Sequence, residues 1–233
     1  MKIGIFTDTH YCKLTLLEQG RNPSRAYDAV KTAFDEFKRH SVETAVCLGD
    51  LVHFHDGFDE SIRHLERISD LINSYGIPIY HCMGNHDNEI VSGEDFAKIS
   101  GFNVAPCFCE NDDCRLIFLD ASHTPDGKPF EREHVDWTLS YVPENELAWL
   151  KGELDTEKKC FVFIHQCLDP SVDGQHIVSN AEEVNALLAE KGVRHVFQGH
   201  YHHGAESTVN GIPYTTVRAM CIGEETNYLI IEL

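Results

Sequence analysis

Five short stretches of this chain place metal-capable side chains where apolar runs end: Asp8-Thr9-His10, Gly49-Asp50, Gly84-Asn85-His86-Asp87, His165 in "CFVFIHQ", and Gly199-His200-Tyr201-His202. The donors are carboxylates, imidazoles and one carboxamide, with no cysteine among them. That set suits Mn, Fe, Zn or Co better than a structural zinc held by thiolates. Seven ligating side chains are too many for one tetrahedral ion, but they suit two ions that share a bridging carboxylate. Paired ions about 3.5–4 Å apart clamp the attacking and leaving oxygens of an in-line phosphoryl displacement, and a bound water can be acidified to a pKa of about 7. Gly49, Gly84 and Gly199 each directly precede a ligand, and are expected to permit the sharp or positive-φ turn that aims it.

Positioning these groups requires strands that end together. "KIGIFTD" reads as a strand, and "NPSRAYDAVKTAFDEFKRH" as a helix with Pro23 in its first turn. Its apolar positions Ala26, Ala29, Val30, Ala33, Phe34 and Phe37 recur at helical spacing. "TAVCLGD" is a second strand, "DESIRHLERISDLINSYG" a second helix and "IPIYHCMGN" a third strand. The β-α-β-α-β order implies parallel strands with helical crossovers. "CRLIFLD" and "CFVFIHQ" continue the strands, with a helix at 144–155 between them. Ser179-Asn180-Ala181-Glu182 has capping-box form and opens a helix ending near Gly192. "VRHVFQGH", "IPYTTVRA" and "YLIIEL" close the chain, and Asn210-Gly211 suggests an antiparallel portion among them. In open α/β sheets ligands bind beyond the carboxyl ends of the strands, so the five stretches can converge.

The 233 residues fit one domain spanning 1–233 and are enough to bury a core without staples. A formal charge of −19 disfavours nucleic acid and anionic membrane as partners. "MKIGIFTDTH" lacks the apolar region of a signal peptide and no run approaches a membrane span, so a cytoplasmic location is expected. The nine cysteines read as free thiols in a reducing compartment. Cys107, Cys109 and Cys114 cluster without the paired spacing of a zinc site.

The ordered set Asp8-x-His10, Gly49-Asp50, Gly84-Asn85-His86-Asp87, His165 and Gly199-His200-x-His202 resembles the five motifs of the calcineurin-like metallophosphoesterase superfamily. The resemblance runs from residue 8 to residue 202. It implies an α/β fold: a four-layer α-β-β-α sandwich, with mixed sheets and helices on both outer faces. It also implies that Asp8, His10 and His202 hold one ion, that Asn85, His165 and His200 hold the other, and that Asp50 bridges them. His86 is then no ligand but a proton donor to the leaving group or a transition-state clamp. Family spacing selects His202 over His203.

The chain departs from the protein Ser/Thr phosphatases of that superfamily, which carry GDxxDRG and GNHE. Here the stretches read "GDLVHFH" and "GNHD", so His53 stands where an aspartate usually supports the catalytic histidine. What orients His86 stays open, as does the contact made by Asp87. GNHD looks more like the small bacterial cyclic-nucleotide phosphodiesterase and nucleoside-diphosphate-hydrolase branches. The resemblance therefore implies a metal-dependent phosphoesterase using two ions (Mn, Fe or Zn) on a small phosphodiester or nucleotide-like substrate. A metal-bound hydroxide attacks and His86 assists the leaving group. His53, Arg25 and His123 are candidate substrate contacts, with His55 and Arg21 nearby in sequence. A phosphomonoesterase on the same centre, a nuclease, and a non-catalytic module of this fold are the competing readings. His40, His64, His134 and His195 read as surface or packing residues, His81 and Cys82 as core neighbours.

Overall fold

The computed structural model describes residues 1–15, 20–132 and 136–233, which leaves His134 outside the described residues. Two sheets form. The first contains β1 (Lys2–Phe6), β2 (Thr44–Cys47), β3 (Ile79–His81), β4 (Asn103–Val104) and β11 (Leu229–Glu232), in the order β11-β1-β2-β3-β4. The second contains β5 (Cys107–Glu110), β6 (Cys114–Phe118), β7 (Lys159–Ile164), β8 (His195–Gln198), β9 (Ala205–Val209) and β10 (Ile212–Thr216), in the order β5-β6-β7-β8-β10-β9. β1 through β4 pair in parallel, as do β6, β7, β8 and β10, and each sheet carries antiparallel edges.

Strand alternation decides the layers, because successive side chains point to opposite faces. Ile3, Ile5, Val46 and Leu48 of the first sheet's inner face meet Leu116, Phe118, Phe161, Phe163 and Phe197 of the second. The rings of Phe118, Phe163 and Phe197 stack in sequence across that interior, 5.1 and 5.2 Å apart. The outer face of the first sheet, including Phe6, Ala45 and Cys47, packs on α1 (Ala26–Arg39), α2 (Phe58–Asn73) and α4 (Gly93–Ser100). The outer face of the second, including Ile117, Val162, Ile164 and Val196, packs on α5 (Glu144–Glu153) and α6 (Ala181–Glu190). The result is helix, sheet, sheet, helix. The predicted apolar stripe of the first helix is buried at all six positions.

Local details differ from the expectations. Pro23 opens a 3-10 turn, Pro23–Arg25, that leads into α1. Asn180, not Ser179, sits at the N-cap of α6, and its carboxamide ties to the backbone of Val142 rather than to the backbone of its own helix. Asn210-Gly211 does turn a hairpin, but it joins β9 to β10, while β8 and β10 run parallel and β11 crosses to the first sheet beside β1. β9 is half-exposed and polar, which is why periodicity alone did not reveal it. Among the described residues no helix is long and apolar enough to cross a membrane.

Candidate metal centre

The five stretches meet where strands of both sheets end. Asp8 and His10 follow β1, Asp50 follows β2, and β3 runs into a single helical turn, α3 (Asn85–Asn88). His165 follows β7, and His200 and His202 follow β8. Backbone bonds tie these loops together: the amides of Asp8 and His10 donate to the carbonyls of Gly49 and Asp50, and that of Gly199 donates to His165.

Two clusters result, and Asp50 belongs to both. Asp8, His10, Asp50 and His202 offer ligand atoms all within 4.8 Å of one another, and so do Asp50, His165 and His200. Asp50 Oδ2 lies 3.6 Å from His10 Nε2 and 3.5 Å from His165 Nε2. His202 Nε2 lies 3.2 Å from Asp8 Oδ1. His203 is exposed, with its ring against Tyr201.

Several of the candidate ligand atoms lack hydrogen-bond partners, while His10 Nε2 and His202 Nε2 lie 3.2 Å from each other. Asp8 Oδ1, Asn85 Oδ1, His165 Nε2 and His200 Nε2 are all buried without a hydrogen bond. Burying a polar atom unpaired costs roughly 1–3 kcal/mol, so four together in one place fit positions that a cation fills. The opposite ends of two of these side chains, Asp8 and His165, are fixed. Thr7 Oγ1 and the His200 amide donate to Asp8 Oδ2 at 2.5 and 3.1 Å. His165 Nδ1 donates to the Leu48 carbonyl at 2.7 Å, which turns Nε2 toward Asp50 and the cluster. The His/Asp clusters therefore fit a dinuclear metal centre.

The charges reinforce one another. Burial works to raise the Asp8 carboxyl, but the neighbouring imidazoles of His10 and His202 hold it well below the usual carboxylate range. Burial likewise opposes ionisation of Asp50, which His165 and His86 keep low. Burial pushes His10 down to about 4 and His200 well below the usual imidazole value. His165 goes the other way: burial lowers it, yet the Asp50 carboxylate raises it to about 9.

The turn glycines act differently from the expectation. Only Gly49 has a positive φ, 108°. Gly84 has φ −89°, and it is a glycine because a Cβ there would lie 2.1 Å from Asp50 Oδ1 and 2.3 Å from Asp50 N. At Gly199 a Cβ would meet Thr7 Oγ1 at 2.4 Å. The left-handed backbone is carried by the ligands themselves: Asp8 at 52°, His10 at 47°, Asp50 at 51° and His200 at 65°. Such conformations are sparsely populated outside glycine and persist where the surrounding structure over-determines them.

The GNHD stretch now divides by contact. Asp87 is fully buried and accepts from the amides of Asp50, Leu51, Val52 and Gly84, and from His81 Nε2 at 2.9 Å. It is a clamp on the loop that carries Asp50. The His81 ring stacks on Phe96, 4.2 Å away, so the core placement of His81 doubles as support for Asp87. Asp87→Ala leaves those donors unpaired, and urea unfolding should show a loss of ~3–5 kcal/mol. An unchanged denaturation midpoint would contradict the clamp.

His86 sits at the mouth. Its amide donates to Asp50 Oδ1 at 2.9 Å, and its Nδ1 pairs with Glu89 Oε2 at 3.0 Å. Glu89 thus orients the ring, the task that the sequence left open, from one helical turn onward. Burial works to lower the His86 pKa, but Asp50 and Glu89 raise it overall. His53 lies 4.6 Å from the His86 ring and 5.6 Å from that of His10, where burial drives it down to about 3. His55 turns away to Asp56.

A cleft of about 560 Å³ opens over Asp50, Asn85, His86, His200 and His202. Arg21, Trp137, His176 and Tyr201 are among its walls. Arg25 does not reach it: its guanidinium donates to the carbonyls of Gly223 and Glu224, stapling the 3-10 turn to the loop before β11. His123 lines a separate hollow of about 460 Å³ with Asp120 and Glu146, whose carboxyls burial pushes up. Cys107 and Cys109 lie outside every cluster of metal-capable side chains among the described residues, and burial raises their thiols to about 12 and about 11.

Residues 1–204 match the calcineurin-like phosphoesterase family. The chain belongs to that family. As a calcineurin-like phosphoesterase it is a metal-dependent phosphoric ester hydrolase. It is 27% identical over 209 residues to a probable cyclic nucleotide phosphodiesterase of Fibrobacter succinogenes, a match covering 87% of this chain and 73% of the relative. The fold is shared with a dimetal phosphatase from Danio rerio at a TM-score of 0.83 and 18% identity, over 98% of this calcineurin-like phosphoesterase and 91% of that chain. A putative 5'-nucleotidase from Staphylococcus aureus shares it at 0.61 and 13%, over 94% and 48%. At those identities the two structures speak to the fold alone.

Proposed function

We propose that this calcineurin-like phosphoesterase is a dinuclear phosphodiesterase for a small, nucleotide-like substrate. The observation that carries the reading is Asp50, set between two histidine clusters in which Asp8 Oδ1, His165 Nε2 and His200 Nε2 are buried without hydrogen-bond partners. In this reading Asp8, His10 and His202 would hold one ion and Asn85, His165 and His200 the other, with Asp50 within reach of both. Bound ions supply positive charge at the phosphoryl oxygens and acidify a water near neutral pH. The chain does the rest: Glu89 occupies His86 Nδ1, which leaves Nε2 to face the cleft and pass a proton to the leaving oxygen. The likeness to the Fibrobacter protein supports a diester over a monoester. Nine unpaired cysteines support a reducing, cytoplasmic setting. β11 completing the first sheet beside β1 supports reading 1–233 as one domain.

The test is a hydrolysis panel on Mn-loaded enzyme with a bis-ester, a cyclic nucleotide, a sugar-linked pyrophosphate and a phosphomonoester. The diesters should be turned over fastest. Turnover of the monoester alone would replace this reading with a phosphomonoesterase on the same centre, and no turnover of any would end it.

A further inference from the structure

We propose that Trp137 is a stacking platform for a nucleobase, so that the ester held at the metal centre is a nucleotide whose base carries an exocyclic amino group. This rests on the phosphodiesterase reading and adds the substrate class. Trp137 begins a short 3-10 turn, Trp137–Leu139, and its indole is half-buried. The ring packs against a pair of neighbouring rings, 5.3 Å from that of His176 and 5.4 Å from that of His200, which are 5.0 Å from each other. It therefore stands directly beside a candidate ligand of the second cluster, on the wall of the cleft.

A half-buried indole in a cleft lined mainly by polar and ionisable side chains, with Ile222 as its one aliphatic member, presents a large apolar face to that space. A flat ring laid on it removes that face from water and gains an offset stack. The volume, about 560 Å³, lies within the range of small-molecule sites and leaves room for a base beyond the phosphoryl group. Stacking alone does not discriminate among bases. Discrimination comes from the rim, where Asp173 and Gln175 line the same cleft. A carboxylate only accepts, so Asp173 pairs with an amino-bearing edge and repels a carbonyl-bearing one. Gln175 supplies both a donor and an acceptor beside it.

Two measurements test this. First, KM is compared for cyclic AMP and for a glycerophosphodiester, which has no aromatic ring. Trp137→Ala should raise the KM for cyclic AMP on the order of 10- to 100-fold more than that for the glycerophosphodiester. Trp137→Phe, which keeps a ring, should recover most of the difference. Equal changes for both substrates, or none, overturn the proposal. Second, the chain has only two tryptophans, and Trp149 packs on α5 against the second sheet's core. In Zn-loaded Trp149→Phe protein, AMP should quench the remaining indole fluorescence and ribose 5-phosphate should not. Absence of quenching by AMP, or equal quenching by both, overturns the platform. Failure of every diester in the turnover panel would sink the phosphodiesterase reading instead, and the fluorescence would still decide on Trp137.

Discussion

Asp50→Asn protein should bind about one ion per chain where the parent binds two, and should lose at least about 100-fold in turnover. Partners that merely orient metal ligands cost 10- to 100-fold when removed, so a group shared by both clusters sets that as its floor. The substitution isolates the charge. Asn85-like carboxamide chemistry keeps an oxygen able to accept from the His86 amide, as Asp50 Oδ1 does now. Asparagine also tolerates the left-handed φ of 51° that this position requires. The backbone of the loop stays held by Asp87. Loss of activity with an unchanged denaturation midpoint for the metal-free protein is the expected pattern. Metal quantification with a phosphodiester assay checks it, and parental turnover in the variant would sink the bridging role.

The second large effect belongs to His86 and the residue behind it. His86→Ala should lower kcat by about 10²- to 10⁴-fold with a much smaller change in KM, as expected for a group that transfers a proton in the transition state. The loss should shrink for an ester whose leaving group is p-nitrophenolate, which needs no proton, and be largest for a nucleoside alkoxide. Glu89→Ala should follow the same pattern at about 10- to 100-fold. Glu89→Gln should retain part of the activity, because a carboxamide oxygen still accepts from Nδ1 at the same reach. A purely structural Glu89 would give losses independent of the leaving group.

Much of the centre was legible because its chemistry is local. Carboxylates and imidazoles at the ends of apolar runs are visible without a fold, and parallel strands gather their ends by construction. The crossovers and helices of the first half follow from apolar stripes such as Ala26 to Phe37. What the sequence hid has three physical causes. Short or half-exposed elements, such as α3, β4 and β9, bury too little apolar surface to leave a period. Glycine identity does not say whether freedom of φ or absence of a Cβ is wanted, so Gly84 and Gly199 were assigned the wrong virtue. Long-range placement is invisible: Arg25 and Arg21 are four residues apart, yet one staples a loop and the other lines the cleft. Glu89 was the one accessible omission, since i+3 on a helical turn from His86 is a readable spacing.

The left-handed backbone at Asp8, His10, Asp50 and His200 divides the centre into two kinds of position for anyone re-engineering its metal preference. At those four, a replacement with a bulkier or β-branched side chain carries a penalty of about 1–3 kcal/mol before any coordination chemistry begins. Saturation libraries there would be depleted to asparagine, aspartate, histidine and glycine, whatever the metal supplied during selection. Asn85, His165 and His202 sit on ordinary backbone. As ligands of the proposed centre they would carry no such backbone penalty on replacement, and metal selectivity would be tuned through them first.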